Sequence, residues 1–169
     1  MTILESYLGK QVEVPEDLRY QIKQGLWAKK SDKSIVFGLT QPALVLMGGV
    51  KDIETLVSDG TIVKPGDSVI FAITGKILYL DVPVGGTIQY NKIIKENPSL
   101  IVENPYGDGW LFRIIPDSDL KKLYMALVSS EEYILSLSKT DGLRNPLGIK
   151  GGVSGMCKAV YSGINAQNL

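Results

Sequence analysis

Between Ser34 and about Ile115 the apolar positions fall in short runs rich in Val and Ile, separated by turn-forming residues at close intervals. The turns are Gly48-Gly49, Ser58-Asp59-Gly60, Lys64-Pro65-Gly66-Asp67, Pro83-Val84-Gly85-Gly86 and Tyr106-Gly107-Asp108-Gly109. Runs of this length and spacing predict short strands in a compact sheet structure. The pattern assigns strands to SIVFGL, ALVLMG, SVIFAI, KILYLDV, TIQY and WLFRII. Several of these runs are apolar at successive positions instead of alternating, which predicts strands covered on both faces.

Two stretches leave the strand period. Tyr90 to Ile101 predicts a short helix or helical turn that ends near Asn97-Pro98, because a proline disfavours helical backbone at the residue before it. After Pro116 the apolar residues Leu120, Leu123, Tyr124 and Leu127 fall at helical spacing, with Ser118 or Asp117 available as N-cap. Ser129-Ser130-Glu131-Glu132 has the capping-box pattern and predicts a second short helix through Leu137. From Asp141-Gly142 onward the composition turns to Gly, Asn and Ser around GIKGGVSG, so residues 138–169 are expected to be an extension, an arm or a tail, on a domain spanning residues 1–137.

Composition narrows the chemistry. The chain of 169 residues suits one compact domain, and its 18 basic and 18 acidic side chains cancel, so it has no global field to gather nucleic acid. It contains no histidine, which removes the usual near-neutral general base, Ser-His and Cys-His nucleophile pairs and HExxH zinc sites. Its one cysteine, Cys157, excludes an intrachain disulfide and four-cysteine zinc sites and points to a reducing cytoplasm. No run reaches the roughly 20 apolar residues of a membrane span, and the first residues lack the leader pattern of a secreted chain.

The stretch NPSLIVENPYGDGWLFRI, Asn97 to Ile114, resembles the distal signature of the glycine cleavage system H protein family, and VPEDLRY, Val14 to Tyr20, resembles its opening. The resemblance covers Val14 to Leu137. It implies a mainly β fold, the barrel-sandwich hybrid of lipoyl domains, followed by C-terminal helices. It also implies a non-catalytic carrier in which lipoate is amide-linked to a lysine on a tight hairpin. The aminomethyl group would come from glycine decarboxylase, pass to aminomethyltransferase, and leave a carrier that dihydrolipoamide dehydrogenase reoxidises. A lipoate ligase or lipoyltransferase would install the cofactor.

Thr74-Gly75-Lys76, between SVIFAI and ILYLDV, is where that lysine is expected. Counted forward from Gly66-Asp67, Lys76 takes the family's lipoyl-lysine position. Counted backward from Pro83, Gly75 takes it, and the returning limb is one residue short. Ile73 and Ile77 stand where the family usually has a Glu and a small residue. After VPEDLRY the chain reads QIKQGLWAKK in place of the family's His-Glu-Trp segment. These departures keep a second reading open: a diverged H-like binding or scaffold protein, unlipoylated or serving another lipoate-dependent pathway such as sulfur metabolism, with Gly75-Lys76 an ordinary hairpin turn.

Other candidate chemistry is weaker. A biotin carrier would place methionines beside the lysine, and this chain has Gly75 and Ile77. VKPGD lacks the glycine spacing of a phosphate-binding loop. Glu103 and Asp108 supply two carboxylates to a solvated turn, too few for a firm cation site. Asp117 and Asp119 suit a helix N-terminus, Cys157 beside Lys158 reads as an inert thiol, and Trp27 and Trp110 read as core or rim aromatics.

Overall fold

The computed structural model describes residues 1–139; the extension from Thr140 onward, with Cys157 and Lys158, lies outside the described residues. The elements run β1 (Thr2–Tyr7), β2 (Lys10–Val14), β3 (Arg19–Gln21), β4 (Leu26–Ser31), β5 (Ser34–Leu39), α1 (Gln41–Met47), β6 (Asp52–Thr55) and β7 (Ile62–Val63). They continue with β8 (Ser68–Ile73), β9 (Ile77–Asp81), β10 (Gly86–Tyr90), α2 (Ile93–Glu96), α3 (Ser99–Glu103), β11 (Phe112–Pro116), α4 (Leu120–Met125) and α5 (Ser130–Leu137).

The strands form a six-stranded sheet in the order β3-β4-β5-β11-β10-β7 and a three-stranded sheet in the order β6-β8-β9, with β1-β2 as a separate hairpin. Every named strand pair is antiparallel. Ile53, Ile70, Ala72 and Leu80 from the smaller sheet share one buried core with Leu26, Ala28, Phe37, Ile88, Phe112 and Ile114 from the larger. Two sheets closing on a common core make the expected mainly β, barrel-sandwich architecture, with helices after β11.

A second core lies on the other face of the larger sheet. Trp27 points there while its neighbours Leu26 and Ala28 point into the first core, and Tyr7, Val12, Val14, Tyr20, Tyr133 and Leu137 complete it. The hairpin β1-β2 and helix α5 thus cover what would be an exposed sheet face. This double cover is why LWA, and runs like it, are apolar at successive positions.

Three expectations need correction. Ala43 to Gly48 is not a strand but most of helix α1 and its cap. Thr40 caps the helix by accepting a hydrogen bond from Ala43 N at 3.1 Å, and Pro42 sits in the first turn. At the other end Gly48 takes φ 75°, and the amide of Gly49 donates to the Leu44 carbonyl at 2.9 Å, closing the helix. The stretch from Tyr90 to Ile101 holds a helix that ends at Asn97 as expected, but α3 starts immediately after Pro98. The N-cap of α4 is Asp119, whose carboxylate accepts from Lys122 N; Asp117 and Ser118 stand outside it. For α5 the cap is Ser129, accepting from Glu132 N at 3.2 Å, as the capping-box pattern requires.

Candidate functional site

The hairpin β8-β9 is paired Ile73 to Ile77, Ala72 to Leu78, Phe71 to Tyr79 and Ile70 to Leu80, which leaves Thr74-Gly75-Lys76 as its turn. The midpoint of that register is Gly75, and Lys76 follows it, exposed. Thr74 fixes the turn. Its amide donates to the Lys76 carbonyl at 2.8 Å, its hydroxyl donates to the same carbonyl at 3.2 Å, and that hydroxyl accepts from the Lys76 amide at 3.0 Å. Further down, Ser68 pairs with Asp81 but Ile70 pairs with Leu80, so Val69 has no opposite residue. This bulge makes the outgoing limb one residue longer than the returning one, matching the difference between the forward and backward counts.

Lys76 opens onto a cavity of about 480 Å³. Thr74, Gly75 and Leu78 of the hairpin form one wall, Ala43, Leu46 and Met47 of α1 another, Tyr133, Ser136 and Leu137 of α5 a third, and Ile22 to Gly25 a fourth. Half of these residues are aliphatic or aromatic and they supply most of the lining surface, and among the described residues no carboxylate reaches it. Its phenol, Tyr133, shares a 2.6 Å hydrogen bond with the Thr40 hydroxyl. Burial pushes the Tyr133 hydroxyl well above the ordinary tyrosine range, so that wall stays neutral.

The segment Ile22 to Gly25, where the resemblance to the H-protein sequence lapses, therefore stands beside Lys76. Gln24 in it also acts as a local strand substitute. Its Nε2 donates to the Asp81 carbonyl at 3.0 Å while its Oε1 accepts from Asp81 N at 2.7 Å, tying the end of β9 to the turn between β3 and β4. Sequence reasoning put Lys76 in a hairpin turn with Thr74 and Gly75, where it stands, but gave Thr74 and Gln24 no role and did not foresee the walls from α1 and α5. The wall from α1 was detectable, since Thr40, Pro42 and Gly48 are helix start and stop signals.

The distal signature lies elsewhere and is architectural. The Trp27 indole N–H donates to the Pro105 carbonyl at 2.9 Å, and the Tyr106 hydroxyl donates to Glu13 O at 2.5 Å while accepting from Gln41 N at 2.9 Å. Buried Asn91 donates to the carbonyls of Asp108 and Trp110 at 2.7 and 2.8 Å. A Cβ on Gly109 would stand 2.2 Å from the Leu100 carbonyl oxygen, so only glycine fits. Trp27 is a core residue, and half-buried Trp110 carries the Arg113 guanidinium 4.6 Å above its ring. Among the described residues no cluster of three or more His, Cys, Asp or Glu could hold a metal ion, and no helix is long and apolar enough to cross a membrane.

Comparison with known proteins agrees with this arrangement. The family model described as Glycine cleavage H-protein matches residues 18–140. The glycine cleavage system H protein of Anaeromyxobacter sp. (strain K) is 35% identical over 130 residues, covering 72% of this chain and 100% of that one. Glycine cleavage system H protein 2 of Aquifex aeolicus is 30% identical over 140 residues, covering 80% of this chain and 84% of its own. The crystal structure of a glycine cleavage system H protein from Mycobacterium marinum superposes with a TM-score of 0.59 at 25% identity, over 71% of this chain and 95% of that one. With the family model spanning most of the two-sheet body and the curated relative matched along its full length, the chain belongs to the glycine cleavage H-protein family.

Proposed function

We propose that the chain is a lipoyl carrier of glycine cleavage, with lipoate amide-linked to Lys76. The observation that carries this reading is the placement of Lys76 on an exposed hairpin turn at the mouth of a largely apolar cavity of about 480 Å³. An acceptor lysine has to enter the active site of the enzyme that acylates it, which a turn position allows. The Lys76 amine would form the amide with the lipoyl carboxyl. The group would supply a dithiolane able to take up an aminomethyl unit together with two electrons and to be reoxidised afterwards.

What the protein adds is position and shelter. The threonine-locked turn holds the backbone of Lys76, and Leu46, Met47 and Leu78 offer apolar walls to an aliphatic arm. The same lining lacks a carboxylate among the described residues and the chain lacks histidine, so no ordinary near-neutral base stands over the cargo. The chain is non-catalytic in this reading. Its partners are glycine decarboxylase, aminomethyltransferase, dihydrolipoamide dehydrogenase and a lipoate ligase or lipoyltransferase, and its compartment is the cytoplasm. The carrier domain is residues 1–137, with residues 138–169 as its extension.

Peptide mapping after incubation of the full chain with lipoate ligase, lipoate and ATP tests the assignment. A lipoyl mass increment is expected on Lys76 and is expected to vanish in Lys76→Arg. An unmodified Lys76, beside an H protein labelled in the same reaction, overturns the carrier assignment and leaves the scaffold reading.

A further inference from the structure

Strand alternation gives the β8-β9 hairpin two faces. Ala72 and Leu80 point into the core and Leu78 toward the cavity, while Phe71, Ile73, Ile77 and Tyr79 share the outer face. On that face Ile73 is directly opposite Ile77, and Phe71 opposite Tyr79 with their rings edge-on at 5.5 Å. Their exposure is 38% for Ile73, 60% for Ile77 and 58% for Tyr79. Cross-strand pairing accounts for some of this choice. It does not account for so open an apolar quartet at the tip that presents Lys76, because contiguous apolar surface left to water is characteristic of a contact site.

We propose that this outer face is where the lipoate-attaching enzyme docks, through Ile73 and Ile77 first and Tyr79 second. The inference rests on Lys76 being the acceptor. Amide formation requires the enzyme to close around the Lys76 amine, and Ile77 is its chain neighbour while Ile73 faces Ile77 across the turn. Any surface that encloses the amine therefore falls on the hairpin tip. On the inner side α1 and α5 wall the cavity, so the outer face is the open approach. Charge offers little alternative recognition there. The carboxylates of Asp52 and Glu54, from β6 on the same face, are both met by Lys95, at 3.8 Å for Asp52 and in closer contact for Glu54. Those three charges stay half exposed but balance one another in part, and what stands nearest the amine is an apolar pair flanking a cation, the composition of a small interface hot spot.

The test uses the full chain and the double variant Ile73→Ser with Ile77→Ser, plus Tyr79→Ser alone. Two readouts are taken on each: steady-state lipoylation of Lys76 by the ligase, and chemical acylation of Lys76 by a succinimidyl ester of lipoate. The double variant is expected to raise the ligase KM about tenfold with little change in kcat, a hot-spot-sized loss. Tyr79→Ser should give a smaller effect of the same kind, and chemical acylation should not change. An unchanged ligase KM overturns the proposal. So does an equal fall in chemical acylation, which would mean a distorted turn. So does a defect confined to aminomethyl exchange of the chemically lipoylated variants with glycine decarboxylase, which would assign the face to that partner. Failure of the unsubstituted chain to be lipoylated at all is a separate outcome and removes the Lys76 assignment itself.

Discussion

Gly38 is forced to be glycine by one ring. It pairs across the sheet with Trp27, and a Cβ there would lie 2.5 Å from both Cε2 and Nε1 of the indole. The ring cannot retreat freely, because Trp27 is buried and its N–H is held by the Pro105 carbonyl of the signature turn. Gly38→Ala should therefore cost about 1–3 kcal/mol as an overpacking change, and the displaced indole should lose its carbonyl partner. A urea midpoint that stays in place, with Trp emission unshifted, would contradict this. At this scale the sequence was partly legible. The Asn-Pro-Tyr-Gly-Asp-Gly-Trp string was recognisable by resemblance. The reasons for its residues were not, since the partners of Pro105 and Tyr106 are Trp27, Glu13 and Gln41, all more than 60 positions upstream.

The hairpin β8-β9 shows how element geometry depends on single hydrogen-bonding groups. Thr74 is 5% exposed and makes three contacts with Lys76 through its amide and hydroxyl. Thr74→Val keeps the shape and removes the hydroxyl, so the strands should stay paired while the turn loosens. Amide exchange at Lys76 is expected to speed up about fivefold, consistent with losing one net hydrogen bond of roughly 1 kcal/mol. Global stability should fall by no more than about that amount. Exchange at Lys76 as slow as in the parent chain would show that the strands alone fix the turn. The strands β5, β8, β9, β10 and β11, five of the eleven among the described residues, and the capped helix α5 were legible because their signals are local. Helix α1 was misread because ALVLM is apolar at successive positions, and a run of that length does not separate a buried strand from a buried helix by period. Its caps, Thr40 and Gly48, held the decisive signal. The bulge at Val69 left only an indirect trace, the one-residue disagreement between two counts.

Across the whole molecule, the second core joins the β1-β2 hairpin, the larger sheet and α5 through buried phenols. Tyr20 stacks on Tyr133 with ring centroids 4.7 Å apart, the Tyr20 hydroxyl donates to the Pro15 carbonyl, and Tyr106 bridges β2 and α1. Burial first, and for Tyr20 its neighbours Tyr106, Tyr133 and Asp17 next, raise the pKa of these hydroxyls far above the ordinary value. The unfolded chain releases those protons near pH 10 while the folded chain retains them. The folded state then binds more protons than the unfolded one, so stability is intact below about pH 10 and declines as pH rises beyond it. Urea midpoints taken between about pH 8 and pH 11 should fall steeply only in the upper part of that range. Tyr133→Phe, which keeps the ring on Tyr20 but removes one of the five tyrosine hydroxyls whose pKa the fold raises, should reduce the alkaline slope by about a fifth. The same substitution should lower stability at neutral pH by about 1 kcal/mol through the lost Thr40 hydrogen bond, so the slope and the neutral offset move in opposite directions. That opposition separates titration from simple loosening of the fold: a variant that is weaker at neutral pH with an unchanged alkaline slope would mean that Tyr133 ionises as readily in the folded state as in the unfolded one, and that another group drives alkaline unfolding.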